Sequence, residues 1–373
     1  MPEFYIGLMS GTSLDGIDAA LVDFSDKRIR LHAFAYSPFS EQLKAQLQQL
    51  SQAEALISLL DYGTLDTTLG ELFANTVQTL LAKANVPATA IKAIGSHGQT
   101  VYHAPHAPHH FSLQIADPNI IAQRTGITTI ADFRRRDIAA GGQGAPLVPA
   151  FHQAVFQQAD ESRCVVNIGG IANITVLPAT ASEAVLGFDT GPGNTLMDYW
   201  VQRHTNSAYD VEGAWAATGT INYQWVKQLM QDNYFALPPP KSTGKEYFSY
   251  AWLHEKLTHL ENTPADIQAS LCWFTAATIV AALRDYAPAT QQLLVCGGGV
   301  HNTSLMTLLG ELLKRTTPAC KISSTEHFGV HPDHVEAMAF AWLARQTLLH
   351  KPVAMQAVTG ANAAVILGGI YQG

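Results

Sequence analysis

One pattern constrains the fold of this chain more than any other: two apolar runs joined by a glycine-containing turn, which occurs twice. The first copy is FYIGLMSGTSLDGIDAALVDF, residues 4–24, in which the turn 10–16 separates the two runs. The second copy is CVVNIGGIANITVL, residues 164–177, with Gly169 and Gly170 at its turn. Short apolar runs on either side of such a turn predict β-hairpins. Two similar hairpins, one early and one in mid-chain, predict two related domains that face one another.

The segments around the hairpins alternate between strand-like and helix-like patterns. Leu43, Leu47 and Leu50 follow helical spacing, a second helix is predicted over 65–84, and a short buried strand over 91–95. The 373 residues suggest two or three domains, and 47% hydrophobic residues suffice for large cores. Alternating strands and helices of this kind predict an α/β fold.

Composition excludes several classes of partner. A net charge of −8 argues against binding to nucleic acid or to an anionic membrane. The longest apolar run, near 271–283, is too short to span a bilayer and predicts a core helix. No signal peptide is visible before the first strand. The four cysteines are widely spaced in the sequence, which predicts free thiols in a reducing compartment. We therefore expect a cytoplasmic protein without membrane or nucleic-acid partners.

The turn of the first hairpin has two interpretations. Glycines let a backbone approach a ligand closely, and successive N–H groups in such a turn form an anion site, which favours a phosphate-binding role. The alternative is an ordinary glycine-rich hairpin. The turn is not a Walker A loop, because Gly16 is followed by Ile17 and Asp18 instead of Lys and Ser or Thr.

Asp189 is the candidate general base. It follows the apolar run 184–188, which predicts a strand, and it precedes a Thr-Gly-Pro-Gly turn and a predicted helix over 195–202. A carboxylate at a strand end is a good position for proton transfer. The alternative is an aspartate that only makes the turn, since Asp and Gly are common turn residues.

Three further groups are candidates for ligand binding. His97 is predicted at the end of a strand, where ligands bind in open α/β sheets. One arginine of the run 134–136 is placed to hold a carboxylate or phosphate, although a solvated turn is the alternative. Gly297–Gly299 follow a predicted strand and suit close approach to adenosine, or simply a tight turn. The histidine-rich segments 97–110 and 327–336 allow a metal site, but their irregular spacing favours structural roles.

Taken together, several motifs resemble the anhydro-N-acetylmuramic acid kinase family. They run from the first strand almost to the last: MSGTSLDGID (9–18), SHGQT (96–100), GGQGAPLVP (141–149), FDTGPGN (188–194), EAMAFAW (336–342) and VTGA (358–361). Each motif alone is weak, but the set is specific.

The resemblance implies two facing α/β domains of the actin-like ATPase (ribonuclease H-like) type, with an ATP cleft between them. The expected N-terminal domain comprises residues 1–130 with 347–373. The expected C-terminal domain comprises residues 131–346, with an inserted loop region near 205–250. The resemblance also implies a homodimer.

The resemblance further implies roles for individual residues. Asp189 is the catalytic base; His97, Arg134 and Glu336 hold the sugar; and Asp15 and Asp18 hold Mg²⁺ or its waters. The residues expected to contact ATP are Gly11, Thr12, Ser13, Leu14, Asp15, Gly16, Ile17, Asp18, Asn167, Gly169, Gly170, Gly297, Gly298 and Gly299.

The implied substrate is 1,6-anhydro-N-acetylmuramic acid, an amino sugar of cell-wall recycling, with ATP and Mg²⁺ as cofactors. This sugar has no free 6-hydroxyl, so Asp189 is expected to activate water for attack at the anomeric carbon while O6 accepts the γ-phosphoryl group. Two other classes of protein are the alternatives. A chaperone-like ATPase of the same superfamily lacks a peptide-binding extension here, and a metal-dependent hydrolase would have to use the histidine clusters.

Overall fold

The computed structural model describes residues 2–26, 29–52, 56–105, 108–180, 183–258 and 260–373. In its first part the elements are β1 (Phe4–Ser10), β2 (Gly16–Asp23), β3 (Arg30–Pro38), α1 (Glu41–Leu50), α2 (Leu59–Ala84), β4 (Ile91–Ala104), β5 (Phe111–Ile115), α3 (Pro118–Thr125), β6 (Thr129–Ala131), α4 (Phe133–Ala139) and α5 (Pro149–Phe156).

The second part begins with the repeated hairpin. Its elements are β7 (Arg163–Ile168), β8 (Ile171–Leu177), β9 (Leu186–Pro192), α6 (Thr195–Thr205), α7 (Tyr223–Leu229), α8 (Asn233–Ala236), α9 (Tyr250–Lys256), α10 (Pro264–Tyr286), β10 (Gln292–Cys296), α11 (Thr303–Thr316), β11 (Lys321–Ser324), α12 (Val335–Leu348), α13 (Gln356–Thr359) and β12 (Gly369–Tyr371). Short 3₁₀ turns, including Gly298–His301, connect several of them.

Both predicted hairpins are present, and each begins a sheet of the same design. In the first sheet β1, β2 and β3 form an antiparallel meander, and β4 and then β6 add to β1 in parallel. In the second sheet β7, β8 and β9 form the meander, and β10 and then β11 add in parallel. The predicted α/β class with two related domains is therefore confirmed.

The chain divides into two compact units with bounds that differ from the predicted ones. The first unit comprises Met1–Val155 and His334–Gly373, and the second comprises Phe156–Asp333. The first predicted boundary, after residue 130, lies before the observed one, and the second, after residue 346, lies beyond the observed one. They differ because α12 packs on β1 and β4, and Phe151 of α5 contacts Trp342 of α12.

The segment near 205–250, expected to be an inserted loop region, contains α7 and α8 and contributes to a core. Trp225, Val226, Leu229, Tyr234 and Phe248 are buried within the main cluster of the second unit. The same cluster includes apolar residues from most of the length of α10, as expected for a core helix. Among the described residues α10 is the helix long and apolar enough to cross a membrane, but 83% of its most apolar window is buried.

Helix α12 packs directly on the first sheet because two strand glycines leave it room. A Cβ atom on Gly7 would meet the backbone of α12 at Ala337 O and, at 2.6 Å, at Ala341 N. A Cβ atom on Gly95 would likewise meet Phe340 O. Backbone-to-backbone approach of this kind requires glycine. These contacts hold α12 against β1 and β4, and Glu336 lies in its first turn.

Two predicted strands continue further than expected. Strand β4 extends past Gly95, so His97 lies inside the strand and not at its end. Strand β9 extends through Pro192, so Asp189 also lies within a strand, opposite Asn173 of β8. The polar residues after each apolar run had indicated a turn, but ladder hydrogen bonds to the neighbouring strand keep the backbone extended.

Candidate active site

In the first unit, the arginine expected to bind the sugar forms a buried pair with His97. Arg134 Nε donates a hydrogen bond to His97 Nε2 at 3.0 Å, and Arg134 Nη1 donates to Gly144 O at 2.8 Å. Arg135 and Arg136 are exposed. The sequence left open which of the three arginines contacts the ligand. In the helical turn of α4, Arg134 is the one of the three that faces the sheet.

These contacts define the protonation state of His97. A guanidinium has no acceptor, so His97 Nε2 accepts from Arg134, and the proton on Nδ1 is donated to Gly98 O at 2.8 Å. Burial, reinforced by the charge of Arg134, lowers the pKa of His97 to about 3. His97 is therefore a neutral imidazole with both nitrogens engaged, which orients Arg134.

Glu336, in the first turn of α12, completes this charge cluster. Burial raises the pKa of Glu336, whereas the charge of Arg134 lowers it. Burial also lowers the pKa of Arg134 to about 10, so the guanidinium stays charged at neutral pH. The structure thus brings His97, Arg134 and Glu336 together. Ser96 lies on the opposite face of β4, because Gly95 and His97 both face Phe340 of α12.

The glycine-rich loop 141–146 is held by a residue that sequence reasoning did not select. Asp137 is fully buried, and its carboxylate accepts hydrogen bonds from Gly144 N and Thr359 Oγ1, both at 2.8 Å. Gln143 N donates to Thr359 O at 2.8 Å. Because Gly144 O in turn accepts from Arg134, Asp137 and Thr359 position the arginine indirectly. The signal for Asp137 was its place between the arginine run and this loop.

The turn of the first hairpin is stabilised from β4. Gln99 Nε2 donates to Gly11 O at 3.3 Å, and Ser10 Oγ lies 2.6 Å from Gln99 Oε1. The two glycines of the turn differ in their surroundings. Among the described residues, a Cβ atom on Gly11 would have only Ser13 within 4 Å, whereas one on Gly16 would meet Pro38 Cα of β3 at 2.8 Å. Gly11 therefore leaves backbone open to a ligand, and Gly16 serves strand packing.

Asp15 and Asp18 do not fit a shared Mg²⁺ site. Asp18 of β2 lies opposite Met9 of β1. Met9 is two residues after Gly7, so both side chains lie on the sheet face that contacts α12. Asp15 lies 3.9 Å from Lys44 of α1, a helix that packs on the opposite face, and its side chain is 64% exposed. The resemblance had implied a shared site, but the Asp15 side chain extends toward Lys44 and solvent, whereas Asp18 lies on the α12 side. Asp18 is the carboxylate that fits an ion held mainly by phosphates and water.

In the second unit, Asp189 is held by the segment that follows α8. Asp189 Oδ2 accepts a hydrogen bond from Thr243 N at 2.9 Å, and Asp189 O accepts from Tyr234 Oη at 2.7 Å. Asp189 N donates to Lys241 O at 3.1 Å. Burial, helped by the negative charge of Glu246, raises the pKa of Asp189 to about 7. A carboxylate that titrates near neutral pH is suited to general-base catalysis.

The turn at Gly169 and Gly170 packs against the turn that precedes α6. Gly193 N donates to Gly170 O at 2.9 Å, and Asn194 N donates to Gly169 O at 2.8 Å. A Cβ atom on Gly193 would collide with Gly169 O. The FDTGPGN motif and the second hairpin turn are therefore hydrogen-bonded to each other, and the candidate base and the candidate phosphate turn belong to the same unit.

The three glycines after β10 have different surroundings. Gly297 has a φ of 78°, and a Cβ atom there would meet Asn167 Oδ1. A Cβ atom on Gly299 would meet Ile168 Cβ at 2.6 Å, whereas the nearest atom to one on Gly298 is Asn194 Nδ2 at 3.9 Å. Asn167 thus supports the turn, and Gly298 lies beside open space. A cavity of about 270 Å³ lies at the start of α11, which follows this turn, and Ala216, Ala269 and Thr303 are among its lining residues.

The second histidine-rich segment contacts residues that are distant in the chain. His301 Nε2 lies 2.9 Å from Asp333 Oδ2, and His334 stacks on Phe34. Within the ranges that the structure describes, no three His, Cys, Asp or Glu side chains lie together as metal ligands. His106, which belongs to the first of the two segments, lies outside the described residues.

Comparison with known proteins agrees with the motif set. A family model described as "Anhydro-N-acetylmuramic acid kinase" matches residues 3–373. Curated proteins of that name include one from Coxiella burnetii (strain RSA 493 / Nine Mile phase I), 48% identical over 371 residues, which span 100% of this chain and 98% of that protein. The protein from Xylella fastidiosa (strain Temecula1 / ATCC 700964) is 49% identical over 370 residues, spanning 98% of this chain and 96% of that protein.

Solved structures show a more distant likeness. An activator of 2-hydroxyisocaproyl-CoA dehydratase from Clostridium difficile with bound ADPNP aligns with a TM-score of 0.45 at 11% identity, covering 91% of this chain and 92% of that one. A ROK family glucokinase from Streptomyces griseus with glucose and AMPPNP aligns with a TM-score of 0.42 at 13% identity, covering 92% and 99%. The full-length family match at this level of identity is decisive: the chain belongs to the anhydro-N-acetylmuramic acid kinase family.

Proposed function

We propose that this chain uses ATP and water to convert 1,6-anhydro-N-acetylmuramic acid into N-acetylmuramic acid 6-phosphate and ADP, in the recycling of cell-wall sugars. The single observation that carries the proposal is Asp189, a carboxylate with a pKa of about 7 in the FDTGPGN motif of this family. Water attacks the anomeric carbon, its proton passes to Asp189, and the bond from that carbon to O6 breaks. O6 then bonds to the γ-phosphorus as ADP leaves.

The sugar is held, in this proposal, by the first unit. Arg134 pairs with the lactyl carboxylate through guanidinium protons not used by His97 and Gly144, and Glu336 accepts hydrogen bonds from the sugar. His97 acts by orienting Arg134, because both of its ring nitrogens are already hydrogen-bonded.

For ATP, the proposal assigns the phosphates to the two hairpin turns. Support comes from the open backbone at Gly11 in one unit and from the turn at Gly169 and Gly170 in the other. The adenosine is assigned to the open side of Gly298, with the cavity at the start of α11 available for the base. Mg²⁺ would neutralise phosphate charge, with Asp18 as the carboxylate that fits it. A cytoplasmic location and a homodimer stay predictions.

Isotope-labelled water tests the reaction. The protein is incubated with ATP, Mg²⁺ and the anhydro sugar in ¹⁸O-water, and the product is analysed by mass spectrometry and NMR. We expect one phosphoryl group at O6 and one ¹⁸O at the anomeric carbon. Samples without ATP or without protein serve as controls. A phosphorylated product with an intact anhydro ring, or no phosphorylated product at all, would overturn the proposal.

The arginine assignment makes a separate prediction. Replacing Arg134 with lysine should raise the KM for the sugar about 10- to 100-fold, because one ammonium cannot bond His97, Gly144 and a carboxylate together. This range corresponds to the loss of about one or two charge-assisted hydrogen bonds. Steady-state kinetics measure it, with Arg135→Lys as the matched control, since Arg135 is exposed. Equal effects of the two substitutions would contradict the assignment.

A further inference from the structure

A lysine in the segment that holds Asp189 covers the second hairpin turn. From the position that a Cβ atom on Gly170 would take, Lys245 Cε lies at 2.7 Å and Lys245 Nζ at 3.5 Å. Any side chain at position 170 would therefore displace the lysine. The Gly244-Lys245 pair has no upstream phosphate-loop glycine in the sequence, so the local pattern alone predicts no phosphate contact for it. The fold places it on a different glycine turn.

A second residue points at the same place. Thr195, the first residue of α6, is only 4% exposed, and its Oγ1 lies 2.8 Å from the same Cβ position on Gly170. This buried hydroxyl has no hydrogen-bond partner among the described residues. Buried polar groups without partners are rare and call for an explanation, which a ligand oxygen would supply.

The backbone around these side chains also suits an anion. Asn194, the N-cap of α6, makes no side-chain capping hydrogen bond. The start of an α-helix carries a partial positive charge and attracts phosphate oxygens. An ammonium, an unpartnered hydroxyl and a helix N-terminus thus converge on one glycine turn.

We propose that Lys245 and Thr195 form a subsite over Gly170 for the transferred phosphoryl group, with Lys245 as a catalytic residue. This inference rests on the proposed function. Thr243, whose N–H holds the Asp189 carboxylate, lies two residues before Lys245, so one short segment carries both the contact to the base and the cation. The cation neutralises charge on the γ-phosphoryl oxygens as the bond to ADP breaks and the bond to O6 forms.

Binding and kinetics of two lysine variants test the role of Lys245. For Lys245→Met we expect kcat to fall about 10²- to 10³-fold, as for the loss of one donor to a developing charge. ATP should bind at least about tenfold more weakly in calorimetry, because hydrogen bonds to charged groups are worth about that much. Affinity for adenosine should stay within about twofold of the parent, since no phosphate contact is lost. Lys245→Arg should recover part of kcat by keeping the charge, and Lys314→Met on exposed α11 controls for charge loss.

A threonine variant separates the subsite from a structural role. Thr195→Val keeps the shape and removes the unpartnered hydroxyl, so the thermal midpoint should stay equal or rise. Its affinity for ATP should nevertheless fall about tenfold while adenosine binding is unchanged. A structural role would move stability and the binding of both ligands together.

Three results would overturn the inference. They are a Lys245→Met variant with kcat within about twofold of the parent, equal losses for adenosine and ATP, or a higher sugar KM with unchanged ATP affinity, which would assign Lys245 to the sugar carboxylate. Failure of the proposed function can be distinguished from failure of this inference. In that case the parent protein makes no phosphorylated sugar, and the contrast between ATP and adenosine still reports on the subsite.

Discussion

Replacing Asp189 by asparagine is expected to lower kcat about 10²- to 10⁴-fold, the usual contribution of a general base. Asparagine matches the shape of aspartate, and its side-chain oxygen can still accept the hydrogen bond from Thr243 N. The contact from Tyr234 Oη goes to the backbone of residue 189, so it survives the change. The fold and the affinity for ATP should therefore stay intact, while proton acceptance is lost. Steady-state kinetics, calorimetry with ATP and a thermal melt measure these three properties.

A matched control uses an exposed carboxylate of the same unit. Asp285, at the end of α10, forms an ion pair with Arg284, and its side chain is 48% exposed. Asp285→Asn removes the same charge and should change kcat by less than about twofold, because surface pairs of this kind contribute little. If Asp189→Asn kept more than about a tenth of the parent kcat, the base would have to be another residue.

The raised pKa of Asp189 also sets the pH dependence of the unmodified protein. A base must be ionised, so kcat/KM should rise as the pH increases and level off above the pKa of about 7. Stability has the opposite sign. Burial raises this pKa from 3.8, so the folded chain binds the proton more tightly, and the contribution of Asp189 to stability falls as the pH rises through about 7. Rate profiles and melts across pH 5 to 8 should therefore diverge.

Replacing Gly7 by alanine is expected to lower the free energy of unfolding by about 3 kcal/mol or more, at the upper end of overpacking effects. The new methyl group would enter the backbone of α12 at Ala337 and Ala341. A clash with backbone cannot be relieved by a rotamer change, so the helix must move away from the sheet. Chemical denaturation measures the loss. Since Glu336 lies in the first turn of α12, the KM for the sugar should rise as well.

A second glycine of the same unit provides the control. Gly63 lies inside α2, and no atom of the described part of the chain comes within 4 Å of the position that its Cβ atom would take. Gly63→Ala should raise stability by up to about 1 kcal/mol, because alanine has the better helix propensity. The opposite signs of the two stability changes test whether α12 packs directly against the strand at Gly7. Similar small effects of both substitutions would show that the helix tolerates displacement.

Local patterns in the sequence were sufficient for the elements and for the duplication. Apolar runs on either side of a glycine turn encode hairpins through short-range rules, and both hairpins form as predicted at β1–β2 and β7–β8. Element ends were harder to place. Strands β4 and β9 extend past the predicted ends because pairing with a neighbouring strand overrides the local turn preference of Ser, Thr and Gly.

The same holds for the glycines, whose roles look alike in a sequence. Gly11 leaves backbone open, Gly16 packs against β3, and Gly7 and Gly95 admit α12. Each role depends on an atom contributed by another element. A glycine-rich motif therefore predicts close approach without saying whether a ligand or another strand will be the neighbour.

Sequence alone was enough for the α/β class, the internal repeat and the family motifs, because these depend on neighbouring residues. Tertiary structure was needed to select Arg134 among three arginines, to separate Asp15 from Asp18, and to bring Lys245 onto Gly170. Each of these outcomes depends on contacts between residues that are far apart in the chain. Burial and the pairing of elements create these contacts, and no local sequence pattern encodes them.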